Sequence, residues 1–313
     1  MTEMRGITTG LCFPEGPVAM RDGSIVLVEI ERQTVTRVLP NGRTEVIART
    51  GGGPNGLAVG PDGAFYVCNN GGFAFRYEQG LLRPSAQASD YAGGRIERVD
   101  PDTGTTTILY DRCGDHKLRG PNDIVFDGHG GFYFTDLGKS RARDRDHGGL
   151  YYALADGSRI AEVAYPLLTP NGVGLSPDGN TAYVAETETA RLWAFDLEGP
   201  GVARKQPFPS PHGGRLVIGL GGVPTLRQPG RRCRWKYLHS HAGQRLYQRD
   251  SGGWAVAASS AYRRSNDNEY LFRRLRTAHR VRHAVRYRPA GGIRLARGRT
   301  ADGAPSVAQS LTR

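Results

Sequence analysis

RDGSIVLVEI at residues 21–30 and PDGAFYVCNN at residues 61–70 are the same small device written twice: an Asp-Gly turn, then a short apolar strand. The device returns as DGHGGFYFTDL at 127–137 and as PDGNTAYVAETE at 177–188. Asp-Gly supplies the positive φ that a tight hairpin needs. The runs that follow are β-branched and aromatic, which suits a pleated, buried strand. Second turns fall between the copies, at Pro40-Asn41-Gly42, Pro101–Gly104 and Ala155-Asp156-Gly157. The copies are 40 residues apart from Asp22 to Asp62 and 51 apart from Asp127 to Asp178. That is the length of a four-stranded β-propeller blade. The wider gap between Asp62 and Asp127 holds an insertion, GFAFRYEQGLLRPSAQASDYAGG at 72–94. The expectation is an all-β chain with about four recognisable blades in residues 1–222.

The rhythm stops near Gly222. Residues 223–313 carry 20 Lys+Arg and 4 Asp+Glu, against 22 and 26 in residues 1–222. The formal charge of +12 is thus a mildly acidic body joined to a strongly basic tail. Glycine, at 44 residues, is plentiful, as a turn-rich fold requires. Four cysteines, Cys12, Cys68, Cys113 and Cys233, show no metal or redox spacing and are expected as free thiols. No apolar leader and no run of about 20 apolar residues is present. A soluble cytoplasmic protein with no membrane partner is therefore expected.

Four short motifs each place an oxygen-bearing side chain directly after a proline and ahead of an apolar strand. They are Phe13-Pro14-Glu15-Gly16-Pro17, Gly53-Pro54-Asn55-Gly56, Gly120-Pro121-Asn122-Asp123 and Thr169-Pro170-Asn171-Gly172. Taken singly, Pro-Asn-Gly is a turn signal. Taken together at blade-like spacing, the motifs can converge on a central channel. Glutamate and asparagine oxygens suit a hard divalent cation, Ca²⁺ or Mg²⁺, and tolerate Mn²⁺ or Zn²⁺.

FPEGP, GPNGLAVGPDG, GPNDIVFDG, TPNGVGLSPDG and TAYVAETETARLWAFD resemble the senescence marker protein, gluconolactonase and luciferin-regenerating enzyme family, which includes the regucalcin-like calcium-binding proteins. The resemblance implies a six-bladed β-propeller with one divalent metal in its channel and hydrolysis of sugar lactones or similar cyclic esters. By motif match it implies Glu15, Asn122 and Asn171 as metal ligands, with Asn122, Asn55 and Asp136 at the substrate. It also implies a general-base aspartate in a later blade. The acids after residue 200 are Asp250, Asp267, Glu269 and Asp302, and none has the required context. No catalytic residue is therefore assigned.

The tail itself suggests why. Arginine codons beginning with CG become frequent when a GC-rich gene is read out of register. Leu226–Arg249, back-translated with synonymous codons and read one base along, allows FDSLAVDAAGNICIATLVNGCISV. Ser265–Gly292 in the same register allows QTTTNICFGGSELRTAYVTLSGIGRLVA. Both resemble the family's last blades, and the missing aspartate would be encoded across Arg227. Residues 223–313 thus read as an irregular, Arg-rich, frameshifted remnant. An arm binding nucleic acid through RRLRTAHRVRHAVRYR at 273–288 is a rival, as is a solvated tail. No specific nucleic-acid partner is expected. The functional expectation is a divalent-metal-dependent lactone hydrolase, impaired in this chain, acting on a small-molecule lactone. The alternative is a non-catalytic propeller that binds a small ligand or a protein.

Overall fold

The structure is a computed structural model. It describes residues 4–78 and 81–220, and beyond them only the strand segments 226–229, 236–240, 244–248, 254–258, 283–288 and 292–297. Among the described residues every regular element is a strand. The first blade runs Pro14–Ala19, Ile25–Glu29, Thr34–Val38 and Thr44–Arg49, each strand antiparallel to the next. The second runs Pro54–Val59, Phe65–Asn69, Arg95–Val99 and Thr106–Tyr110. The third runs Pro121–Phe126, Gly131–Asp136, Gly148–Leu154 and Ile160–Leu167. The fourth runs Pro170–Leu175, Thr181–Glu186, Arg191–Gly199 and Arg215–Gly219. The insertion of the second blade forms its own hairpin, Phe73–Glu78 with Leu81–Gln87.

The Asp-Gly turns join first to second strands, as the repeat predicts. Gly23, Gly63, Gly130 and Gly179 all have φ between 77° and 84°. In each turn the aspartate accepts a backbone N–H two residues on: Ser24 to Asp22, Ala64 to Asp62, His129 to Asp127, Asn180 to Asp178. An aspartate holds its own turn in this way, which fixes where the next strand begins.

Side-chain alternation explains why the second strands are mostly apolar ahead of their last residue. Phe65 and Val67 pack with Val26, Val28 and Val35 of the first blade. Their neighbours Tyr66 and Cys68 face the other way, onto Phe132, Phe134 and Ile124 of the third. Tyr133 then packs with Val173, Val184 and Phe195 of the fourth. The second and third sheets are each sandwiched between two others, so both faces of their strands are buried and period 2 disappears into a continuous apolar run. Buried tyrosines spend their hydroxyls across the seams. Tyr66 donates to Ala155 O, and Tyr133 Oη accepts from Gly201 N.

Beyond residue 220, four strand segments between 226 and 258 pair in chain order as a fifth sheet, beside the first strand of the fourth blade. His283–Arg288 and Gly292–Arg297 form a sixth sheet with the N-terminal strand Met4–Thr8. These segments lie where the rhythm of turns is not visible in the sequence. The expectations that residues 223–313 are out of frame, and that their aspartate is missing, concern side chains outside the described residues. Cys12, Cys68 and Cys113 are free thiols, as expected; Cys233 lies outside the described residues. No helix among the described residues is long and apolar enough to cross a membrane.

Candidate metal and substrate centre

Pro14, Pro54, Pro121 and Pro170 are each the first residue of the first strand of a blade. Proline costs no ladder hydrogen bond at such a position. Opposite each stands the last residue of the second strand: Glu29, Asn69, Asp136 and Glu186. The pairing register slips just after Pro54, Pro121 and Pro170, so the residue that follows each is not held in a regular ladder; in the first blade Glu15 still pairs with Val28 and the slip comes just after it. These next residues are Glu15, Asn55, Asn122 and Asn171, one per blade at equivalent places.

Close backbone contacts link the four. A Cβ on Gly16 would stand 2.9 Å from Asn55 O and 2.6 Å from Leu57 N. One on Gly56 would stand 2.3 Å from Asn122 O. Glycine is required at both because the next blade's backbone occupies the space of a side chain. Between third and fourth blades the contact is polar instead. Asp123 Oδ2 accepts Val173 N at 3.0 Å, and Thr135 Oγ1 donates to Asn171 O. The starts of the four inner strands thus form an arc. Glu15, Asn55 and Asn122 are buried and Asn171 is half-buried.

The residues opposite the prolines form a second series, one that the motifs alone do not reveal. Each is 0–4% exposed, and each turns its oxygens back onto the loop that delivers the proline. Glu29 accepts Cys12 N at 2.6 Å. Asn69 accepts Gly53 N at 2.8 Å. Asp136 accepts Arg119 N and Gly120 N, both at 2.7 Å, and Gly138 N at 2.8 Å. Glu186 accepts Leu168 N at 2.6 Å. These side chains act as clamps on the loops that lead into the four motifs. Asp136, expected at the channel wall, is placed in this series, with both carboxylate oxygens engaged by backbone N–H groups. Burial pushes its carboxyl above the ordinary value, against three donors that favour the ionised form.

Topology puts further loops beside the arc. First and second strands are antiparallel, so the start of one and the end of the other lie at the same end of a blade. The loops from second to third strands therefore rise around the motifs. In the second blade that loop is the insertion with its hairpin; in the third it is the stretch 137–147. Phe75 of the hairpin packs on Phe13, two residues before Glu15, with ring centroids 5.5 Å apart. Lys139 is buried against the base of the same insertion.

The arc offers one carboxylate and three amides. Among the described residues no group of three or more His, Cys, Asp or Glu side chains could hold a metal. A site here would therefore be built mainly from neutral carbonyl oxygens, a donor set that fits a hard divalent cation of the Ca²⁺ or Mg²⁺ kind.

Residues 13–216 match the family model described as the SMP-30/gluconolactonase/LRE-like region. A gluconolactonase of Zymomonas mobilis is 26% identical over 224 residues, 64% of this chain and 57% of that protein. Lactonase drp35 of Staphylococcus saprophyticus is 33% identical over 195 residues, 62% of this chain and 52% of that protein. The chain thus spans about half the length of the curated relatives it matches. Among solved structures, a gluconolactonase from Xanthomonas campestris superposes with a TM-score of 0.65 at 20% identity, over 95% of this chain and 90% of that one. A calcium-binding regucalcin from Agrobacterium tumefaciens superposes with a TM-score of 0.59 at 18% identity, over 82% and 77%. At these identities the two structures speak for the β-propeller fold.

Proposed function

The chain belongs to the SMP-30/gluconolactonase/LRE-like family, and from that premise we propose that it is a lactone hydrolase dependent on a divalent metal, with its turnover impaired. The observation that carries the reading is the arc of Glu15, Asn55, Asn122 and Asn171, one oxygen-bearing side chain per blade, each prepared by a clamp behind it. Glu15, Asn122 and Asn171 would hold the cation. When bound, such an ion polarises the lactone carbonyl and makes a water molecule more acidic. Asn55 and Asn122 lie side by side through the Gly56 contact and would orient the ring through their amides. The names of the curated relatives support a lactone as the small-molecule partner.

Impairment follows from what the arc lacks. Glu15 is the only acid among the four positions, and it is assigned to the metal. A positioned general base contributes about 10²–10⁴-fold. The family match ends at residue 216, ahead of the basic segment, which supports the reading that the base was lost with the frame. The same gap supports a second reading, a propeller that binds a small ligand and does not turn it over.

The test is hydrolysis of glucono-δ-lactone with added Ca²⁺, Mn²⁺ or Zn²⁺, by this chain and by a frame-restored chain. Metal-dependent turnover by the restored chain, at least about 10²-fold above this one, is expected. Equal turnover would show that a residue after 222 replaces the base. Metal binding without turnover by either chain would favour the second reading.

A further inference from the structure

Lys139 has surroundings rare for a lysine. Its side chain is 2% exposed, yet its ammonium hydrogen-bonds only to neutral oxygens: Asn70 Oδ1 at 3.1 Å and Gly72 O at 2.8 Å. The Nζ stands 4.0 Å over the centroid of the Phe73 ring and 5.2 Å from that of Tyr91. All four partners belong to the loop between the second and third strands of the second blade, Asn70 at its start and the others within the insertion. Lys139 itself comes from the third blade. Its own loop is fixed by Lys139 N donating to Asp146 Oδ2 and by Asp146 N donating to Lys139 O.

The insertion reaches further. Asn70 N donates to Gly53 O, in the loop that delivers Pro54, and Tyr91 Oη donates to Arg119 O, two residues before Pro121. Phe75 rests on Phe13 of the first blade. One insertion thus bridges three consecutive blades at the end where the arc lies. A buried ammonium whose hydrogen bonds all go to neutral oxygens is costly even with the charges of Asp136 and Asp146 acting on it, and three neighbouring blades that already share apolar seams do not need it. Its geometry is nevertheless specific. Two donors satisfy the turn at the root of the hairpin, while the charge lies over an aromatic face.

We propose that Lys139 is a positioning residue, fastening the second-blade insertion across the mouth of the channel so that Phe13, Phe73 and Phe75 wall one side of the approach to the arc. The fastening stands on the contacts above. The wall's effect on a substrate rests on the lactone reading.

The experiment compares the full chain with its Lys139→Met variant, which keeps the stem and removes the donors. Hydrogen exchange is followed by mass spectrometry on peptides covering 71–94 and on the second strands Gly131–Asp136 and Thr181–Glu186. Exchange in 71–94 should rise at least about tenfold while the second strands keep their protection and the melting temperature does not fall. Unchanged exchange in 71–94 would overturn the proposal, as would a uniform rise across all blades. Phe73→Leu provides a second route if Lys139→Met does not fold, and must show the same local loosening. With glucono-δ-lactone as probe, KM should rise several-fold with kcat held within about twofold; an unchanged KM would overturn the wall. Should this chain turn over too little to measure, the same KM comparison is made in the frame-restored chain; if that chain is inactive as well, the lactone reading fails, and the exchange comparison still decides the fastening.

Discussion

Replacing Gly56 with alanine adds one methyl group where the structure has least room. Gly56 has no left-handed backbone, so alanine is conformationally acceptable there, and the cost comes from the neighbouring blade alone. The new Cβ would stand 2.3 Å from Asn122 O and 2.8 Å from Asp123 Cα. Both are backbone atoms, which cannot swing aside as the end of a flexible side chain can. Ordinary contact is nearly 1 Å longer, so the second and third inner strands must part by roughly that much. Overpacking of this kind costs about 1–3 kcal/mol. For a body of this size that is a fall in melting temperature of about 2–10 °C. Asn55 and Asn122 move with their strands, and a misplacement of about 1 Å can cost on the order of 10²-fold in function. Gly63→Ala is the control. Gly63 has φ of 80° with nothing within 4 Å of a new Cβ, so that variant pays only turn strain, far from the arc. Thermal melts and calorimetric titration with Ca²⁺ and Mn²⁺ measure both. Gly56→Ala should lose stability and cation affinity together, whereas Gly63→Ala should lose stability alone. If Gly56→Ala binds cations as the wild-type does, the contiguity of Asn55 and Asn122 does not shape the site.

Glu15→Gln exchanges the one anionic oxygen of the arc for a neutral amide and should weaken divalent binding; equal affinity by titration removes Glu15 from the site. Burial lowers the Lys139 ammonium from its ordinary 10.5 to about 7, so between those values the unfolded chain carries a proton that the native one lacks. Stability should therefore rise with pH across that window, by up to about 1.4 kcal/mol per pH unit from this group, and stay flat below it. Urea unfolding at pH 7, 8 and 9 should show that slope in the wild-type chain minus the Lys139→Met chain, a difference in which the groups not coupled to Lys139 cancel and only its neighbours Asp136 and Asp146 do not; a zero slope refutes it. The nucleotide sequence should show an open +1 frame from about codon 223 that encodes strands and a turn; stop codons in that frame would make the basic segment authentic.

The sequence announced the blades because Asp-Gly turns and apolar runs are local features. Asp22, Asp62, Asp127 and Asp178 each bond within their own turn, so their meaning does not depend on distant residues. Glu15, Asn55, Asn122 and Asn171 were legible for the same reason: each follows a proline that opens a strand. The clamps were half legible. IVLVE, FYVCN, GFYFTD and TAYVAE all end in an acid or an amide, a recurrence visible in the sequence. Asp136 stands out at the end of its strand, but its direction depends on N–H groups 16 and 17 residues away. Lys139 was not legible. Its partners lie 67 and 69 residues earlier, and a lone lysine in a charged loop reads as solvated. Past Gly222 the turn signals cease, and with them the basis for reading strands.

The clamps also bear on how this fold tolerates damage. Each loop that leads into a motif is held by a residue of its own sheet, so the placing of its oxygen is a property of one blade and only its distance to the next is a property of two. A blade is then a cartridge that arrives already loaded. An accident downstream in the gene would leave four cartridges intact, with their oxygens still aimed. Descendants of such an accident would keep a place to hold an ion or a sugar long after losing the means to cut anything there, and selection could take up that holding as a trade of its own.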